Sequence, residues 1–207
     1  PSFSDDQLVV RNPEAPALEL PLQPATTRAA DVEVAGDACR ALHVDRDADH
    51  WFSDFLRTDC SLVYMPDSTR RTVDPEHSDD EAIVSFADGY PFLLIGQASL
   101  DDLNDRLDEP VAMTRFRPNI VVDETEPFAE DDWDVIWMNG VEFRVAKPCS
   151  RCAVTTVDQQ TGERGKEPLA TLATYRRDGD NVMFGQNLVH RSRGMIHIGD
   201  TVEVGAC

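Results

Sequence analysis

Apolar positions along this 207-residue chain fall mostly into short alternating or continuous runs, and few stretches carry helical spacing. Leu18, Leu20 and Leu22 alternate with polar neighbours, the pattern of a strand with one covered face, and the prolines Pro13 and Pro16 break up the stretch before them. Between residues 45 and 56, Ala48, Trp51, Phe52, Phe55 and Leu56 recur at helical intervals, which predicts one amphipathic helix with its aromatic stripe in a core. Residues 68–80 are polar and charged and read as a loop or boundary between two halves. Beyond them, 91–95 (Pro-Phe-Leu-Leu-Ile) reads as a buried strand, and Ser99 with Asp102 as the cap-like start of a helix carrying Leu100, Leu103 and Leu107. Residues 119–122 form another strand. Residues 135–138 and 141–145 flank Asn139-Gly140, a dipeptide that supplies positive φ, and so predict a hairpin. Residues 153–157, 182–184, 195–198 and 202–204 are further short β-rich runs, with one helix expected over 167–177. Many short strands with few helices predict a mainly β fold, and a barrel is the usual way such strands avoid open edges.

Composition narrows the partners. The chain has 39 acidic against 19 basic residues and a formal charge of −20, which repels nucleic acid and anionic membrane surfaces, so neither nucleic acid nor membrane is expected as a partner. No run approaches the roughly 18 apolar residues of a membrane span, and the start lacks a basic segment followed by an apolar one, so a cytoplasmic protein is expected. Five cysteines at 39, 60, 149, 152 and 207 fit a reducing compartment better than a set of paired bridges. Lys147 and Lys166 are the only lysines, and an acid-rich, lysine-poor composition suits either a high-salt habitat or an arginine-favouring genome.

Two constellations carry candidate chemistry. Lys147-Pro148-Cys149-Ser150-Arg151-Cys152 stands where one strand ends and another is expected. By itself the pair of cysteines fits half of a zinc site, a thioredoxin-like dithiol, or two small buried hydrophobes. No second cysteine pair of that spacing exists to complete a zinc site, and the following run favours a strand over the helix a redox pair usually opens. Arg115-Phe116-Arg117-Pro118-Asn119 places two guanidinium groups and an amide before an apolar strand. Alternation sends both arginines to one side, where they either balance surface carboxylates or present planar forks to a phosphate or a fused heterocycle.

Taken together, PFLLIGQASLDDLNDRL (91–107), RFRPNIVV (115–122), FAEDDW (128–133), PCSRCAVTTVD (148–158), Glu167-Pro168-Leu169, Phe184-Gly185-Gln186 and Gly199-Asp200 resemble the MOSC family, in the branch of the mitochondrial amidoxime reducing component and its bacterial relatives. The resemblance runs in order from about 85 to 204. It implies a MOSC-type β-barrel over 66–207, preceded at 1–65 by the later part of the family's N-terminal β domain. It also implies a molybdenum cofactor (Mo-molybdopterin) with Cys152 as the metal's thiolate ligand and catalytic residue, Ser150 and Arg151 lining the same loop, and Arg117, Asn119, Arg115 and Asp88 at the pterin. The implied activity is reduction of small N-hydroxylated substrates such as amidoximes, hydroxylamines and N-hydroxylated bases, with electrons from a ferredoxin- or cytochrome b5-like donor and its reductase. The family's opening Tyr-Pro-Val-Lys-Ser-like segment, which grips the cofactor phosphate, is not found at the start, so the chain is expected to be truncated there and to hold the cofactor weakly. A sulfur or cofactor carrier without turnover, and a non-catalytic binding remnant, are the competing expectations.

Overall fold

The computed structural model describes residues 2–4, 6–78 and 82–205. The chain divides into two compact units, Pro1–Arg71 with Ser85–Asp88, and Thr72–Val84 with Gly89–Cys207.

The first unit holds two small antiparallel sheets. One is a meander of β1 (Ser2–Ser4), β2 (Gln7–Asn12) and β3 (Ala15–Pro21), with Val9 and Leu20 buried. The other pairs β4 (Ala29–Val34) with β5 (Asp37–His43), and β5 with the short β6 (Val63–Tyr64). The helix expected at 45–56 is α1 (Arg46–Leu56): the Asp45 carboxylate accepts from the Ala48 N–H at 2.7 Å, and Arg57 ends it in the left-handed conformation. Its aromatic stripe is less buried than helical spacing suggests. Trp51 packs edge-on to Phe52 at 5.0 Å and its indole N–H donates to the Pro16 carbonyl, but Phe55 and Leu56 remain exposed.

The second unit is built on one curled sheet, ordered β13 (Val202–Val204), β9 (Val135–Met138), β10 (Val141–Ser150), β12 (Asn181–His190), β7 (Phe92–Gly96) and β8 (Ile120–Val122), with β11 (Arg177–Asp178) paired to one end of β12. Every pairing is antiparallel except β7 with β8, which a crossover through α2 (Gln97–Asn104) makes parallel. Strand alternation sorts the side chains onto two faces. Leu94, Ile120, Val122, Ile136, Met138, Val141, Phe143 and Leu188 meet inside the curl as one core, with Val202 against them, so the sheet is a nearly closed barrel. The opposite face of β7 and β12 puts Ile95 and Phe184 under Leu100 and Leu103 of α2, Phe116, and Leu172 of α3 (Leu169–Leu172). A strand covered on both sides is what the uninterrupted Phe-Leu-Leu-Ile run encodes.

The predicted hairpin forms as read: Val141 stands opposite Met138, and Asn139 and Gly140 both take positive φ, the mirror-image turn that matches strand twist. Other expectations change. Residues 153–156 are a 3₁₀ turn rather than a strand, because the Thr155 and Thr156 hydroxyls donate to the carbonyls of Cys152 and Ala153, three residues back. The helix expected over 167–177 shrinks to the four residues of α3, and 195–198 forms no strand. Ser99 lies inside α2 instead of capping it. Its hydroxyl donates to the buried Glu130 carboxylate at 2.7 Å, and that carboxylate also accepts from the Gly96 N–H at 3.0 Å, so a remote acid satisfies the start of the helix.

Candidate functional site

The Pro148-Cys149-Ser150-Arg151-Cys152 segment begins inside a strand. β10 continues to Ser150, paired with β12 through two irregularities, one between Val145 and Lys147 and one between Pro148 and Ser150. A bulged stretch tolerates Pro148, which has no ladder N–H to give. The Arg151 N–H still reaches the Val182 carbonyl at 2.8 Å, and then the chain leaves the sheet into the 153–156 turn, where the Thr155 hydroxyl and N–H both hold the Cys152 carbonyl.

This exit separates the two cysteines. Both are free thiols. Cys149 is half-buried and its sulfur accepts from Arg151 Nη1 at 3.1 Å, whereas Cys152 is exposed and its sulfur has no hydrogen-bond partner among the described residues. Arg151 is the pivot of the site. Its Nη2 donates to the Phe116 carbonyl at 2.8 Å, its guanidinium lies 5.4 Å from the centre of the Phe116 ring, and its Nε is buried without a partner among the described residues. A buried guanidinium N–H left unpaired is costly, so this atom marks a place for an acceptor.

The Arg115–Asn119 region docks against the same segment from the other side. Residues Met113–Arg115 form a 3₁₀ turn and Arg117 takes φ +56°, so the alternation that would align the two arginines does not hold. Phe116 is buried and meets Phe184 at 4.5 Å. The Arg115 fork is engaged within the protein, donating to the Val157 carbonyl at 2.9 Å and to the Asp158 carboxylate at 3.0 Å. Asp158 in turn accepts from the backbone N–H groups of Thr161 and Gln160, and these bonds, with Arg115 contributing least, hold its carboxyl below the usual range. Arg151 and Arg115 thus staple the 113–117 turn to both ends of the 151–158 segment. Arg117 itself is exposed, with no side-chain partner among the described residues.

Asn119 exchanges two bonds with Leu93: its N–H donates to the Leu93 carbonyl at 2.9 Å and its side-chain oxygen accepts from the Leu93 N–H at 2.8 Å. The residue is exposed, and its amide NH₂ has no hydrogen-bond partner among the described residues. Leu93 stands opposite Asn187, and Asn187 opposite Lys147, so Asn119 lies three strand spacings, about 14 Å along the sheet, from the start of the cysteine segment. Only a large ligand would touch both. Ser150 is exposed and its hydroxyl donates to Asn181 at 3.1 Å. Asp88 belongs to the first unit, where Arg71 gathers the carbonyls of Ser85, Ala87 and Asp88 while pairing with Asp37; the Asp88 carboxylate itself is exposed.

Sequence reasoning gave no separate role to Asp158 or Thr155. Asp158 stands before Gln-Gln-Thr-Gly, an aspartate-led turn signature that was open to view. Gln186, buried, donates to Asp131 at 2.7 Å, and Arg176 pairs with the other oxygen of that carboxylate at 2.6 Å, which ties β12 to the 129–132 turn. One group of possible metal donors also stands apart from the site: the exposed Asp74 and Glu76 and the half-buried His77, with ligand atoms within 4.8 Å of one another.

Residues 81–203 match the MOSC domain, and the protein belongs to that family. It is related to the mitochondrial amidoxime-reducing components. It is 36% identical to component 1 of Mus musculus over 219 residues, covering 96% of this chain and 62% of that protein. It is 35% identical to component 1 of Homo sapiens over 206 residues, 89% of this chain and 59% of that protein. It is 36% identical to component 2 of Bos taurus over 182 residues, 84% of this chain and 54% of that protein. The chain therefore spans a little over half the length of these curated relatives.

Proposed function

We propose that this protein is a molybdenum-cofactor-dependent oxidoreductase that reduces N-hydroxylated compounds, amidoximes among them, with Cys152 as its ligand to the metal. The observation that carries the reading is the inequality of the two cysteines: one sulfur is held by Arg151, and the other stands exposed and unpaired at the exit from the barrel wall.

The residues present fit such a group. A soft thiolate is the donor a thiophilic metal centre favours, and the unpaired Nε of Arg151 is a donor awaiting an acceptor. Cys152 would hold the metal. Arg117, exposed and unpaired, would neutralise negative charge on the organic part, and the free amide NH₂ of Asn119 would donate to a ring or carbonyl edge. Arg115 and Asp158 act one step back, fixing the turn that presents Arg117. Ser150 lines the loop, and Asp88, carried by the first unit, is assigned a pterin contact on the resemblance alone. Bound there, the cofactor would supply two-electron redox chemistry at a centre that accepts oxygen from substrate.

The net reaction consumes two electrons and two protons, cleaves the N–O bond and releases the oxygen as water. On the family resemblance those electrons would come from a donor protein, ferredoxin- or cytochrome b5-like with its reductase. The test is the molybdenum content of the purified protein together with its reduction of a small amidoxime by an artificial electron donor. Metal and turnover together support the reading. Metal without turnover would favour a carrier of sulfur or cofactor, and neither would favour a binding remnant.

A further inference from the structure

The Cys152 sulfur is exposed and has no hydrogen-bond partner among the described residues, so the direction of this side chain is set through its backbone. On the N-terminal side the Arg151 N–H donates to the Val182 carbonyl at 2.8 Å and keeps that residue on the sheet. On the C-terminal side the Cys152 carbonyl accepts twice, from the Thr155 hydroxyl at 2.9 Å and from the Thr155 N–H at 3.2 Å. A carbonyl with both lone pairs engaged has a fixed plane, and the Cα–Cβ bond between two anchored flanks has one direction.

Of the two donors the hydroxyl is the better placed, since the N–H bond of 3.2 Å stands at the long end of its range and the hydroxyl bond of 2.9 Å does not. It also acts against the local preference of the chain. Ala153-Val154-Thr155-Thr156-Val157 favours extended backbone, and in an extended segment the Cys152 carbonyl would lose both bonds. Thr155 is only 2% exposed, so water does not take the place of its hydroxyl. Thr156 is built in the same way, buried with its hydroxyl on the carbonyl three residues back at 2.8 Å, but that carbonyl belongs to Ala153, past the cysteine.

We infer that Thr155 is a positioning residue, whose hydroxyl fixes the direction of the Cys152 thiol by holding the Cys152 carbonyl. Its consequence for catalysis rests on Cys152 being the ligand to molybdenum. Groups that orient a metal ligand from behind contribute roughly 10–100-fold to metal affinity or activity. A reacting group displaced by more than about 0.5 Å is already out of productive geometry. Thr155 therefore matters to turnover beyond its share in the stability of the turn, and Thr156 does not.

Three variants of the full chain test this. Thr155→Val keeps the shape of the side chain and removes the oxygen, Thr155→Ser keeps the oxygen, and Thr156→Val removes the equivalent oxygen one residue along. The first readout needs no metal: the residual dipolar coupling of the Cys152 Cα–Cβ bond, with couplings in β10 and β12 as internal reference. It should change by more than roughly half in Thr155→Val and keep its wild-type value in the other two, although both valine variants lose similar thermal stability. The second is turnover of the cofactor-loaded protein with a small amidoxime and an artificial donor. There kcat should fall roughly tenfold or more in Thr155→Val with KM little changed, and Thr155→Ser should restore it. If Thr155→Val does not fold, Thr155→Ala makes the same comparison. An unchanged coupling or an unchanged kcat in Thr155→Val, or equal changes in Thr156→Val, overturns the inference. A coupling that moves as expected in a protein that takes up no molybdenum keeps Thr155 as the residue that orients Cys152 and removes the metal reading instead.

Discussion

Gly185 takes φ +80°, and a Cβ there would come within 2.6 Å of Ile95 Cγ1 and 2.8 Å of the Leu94 carbonyl oxygen, so β7 and β12 approach closely only because this residue has no side chain. Gly185→Ala should therefore lose roughly 2–4 kcal/mol of stability from a disfavoured backbone angle and a crowded core together. Gly162, at φ +74° with nothing within 4 Å, is the control: its alanine variant should lose only the backbone part, about 1 kcal/mol. Denaturant unfolding of the two variants checks both values, and similar losses would show that crowding at Gly185 is relieved by movement of the neighbours. At this scale the sequence was legible where one residue type does one job. Asn139-Gly140 as a turn is local chemistry. Glu130 was not legible, because its carboxylate satisfies a helix start 34 residues earlier and nothing in its neighbourhood announces that contact. Nor does spacing announce the Arg151 guanidinium that donates to the Cys149 sulfur.

Among the elements, the hairpin and the buried strand at 92–96 followed from pattern because periodicity and turn chemistry agreed. The segment after Cys152 misled for a physical reason. Ala-Val-Thr-Thr-Val has strong strand preference, but both threonine hydroxyls find carbonyls three residues back and wind the chain into a 3₁₀ turn. The paired arginines misled similarly, since alternation applies only to extended chain and residues 113–117 turn twice. These local departures cluster at the candidate site, where side-chain bonds replace ladder bonds. The 158–163 loop is the element through which this bears on function. The Asp158 carboxyl is held below its ordinary value by the N–H groups of Thr161 and Gln160, so the folded loop favours the ionised form. Its contribution is fully present above the ordinary carboxylate value near pH 4 and is lost as pH falls through the lowered folded value. The expected outcome is that backbone signals of Gln160, Thr161 and Gly162 in NMR shift together below about pH 4 while β12 signals stay put. Asp158→Asn should abolish that transition. A transition that persists in the variant would assign it to another group.

For the whole molecule, a mainly β architecture with a barrel was legible from the number and brevity of the strands, and family membership from the ordered motifs. The account rests on Cys152 and Cys149 having different jobs. The measurement that tests this most directly is a comparison of Cys152→Ala and Cys149→Ala, each loaded with molybdenum cofactor, for metal content, for the sulfur neighbours of molybdenum by X-ray absorption, and for amidoxime reduction. Cys152→Ala should show one sulfur neighbour fewer and a loss of activity by orders of magnitude. Cys149→Ala should keep the metal environment and most activity, at a cost of about 1 kcal/mol in stability from the lost contact with Arg151. Equal losses in the two variants, or an unchanged metal environment in Cys152→Ala, would contradict the assignment.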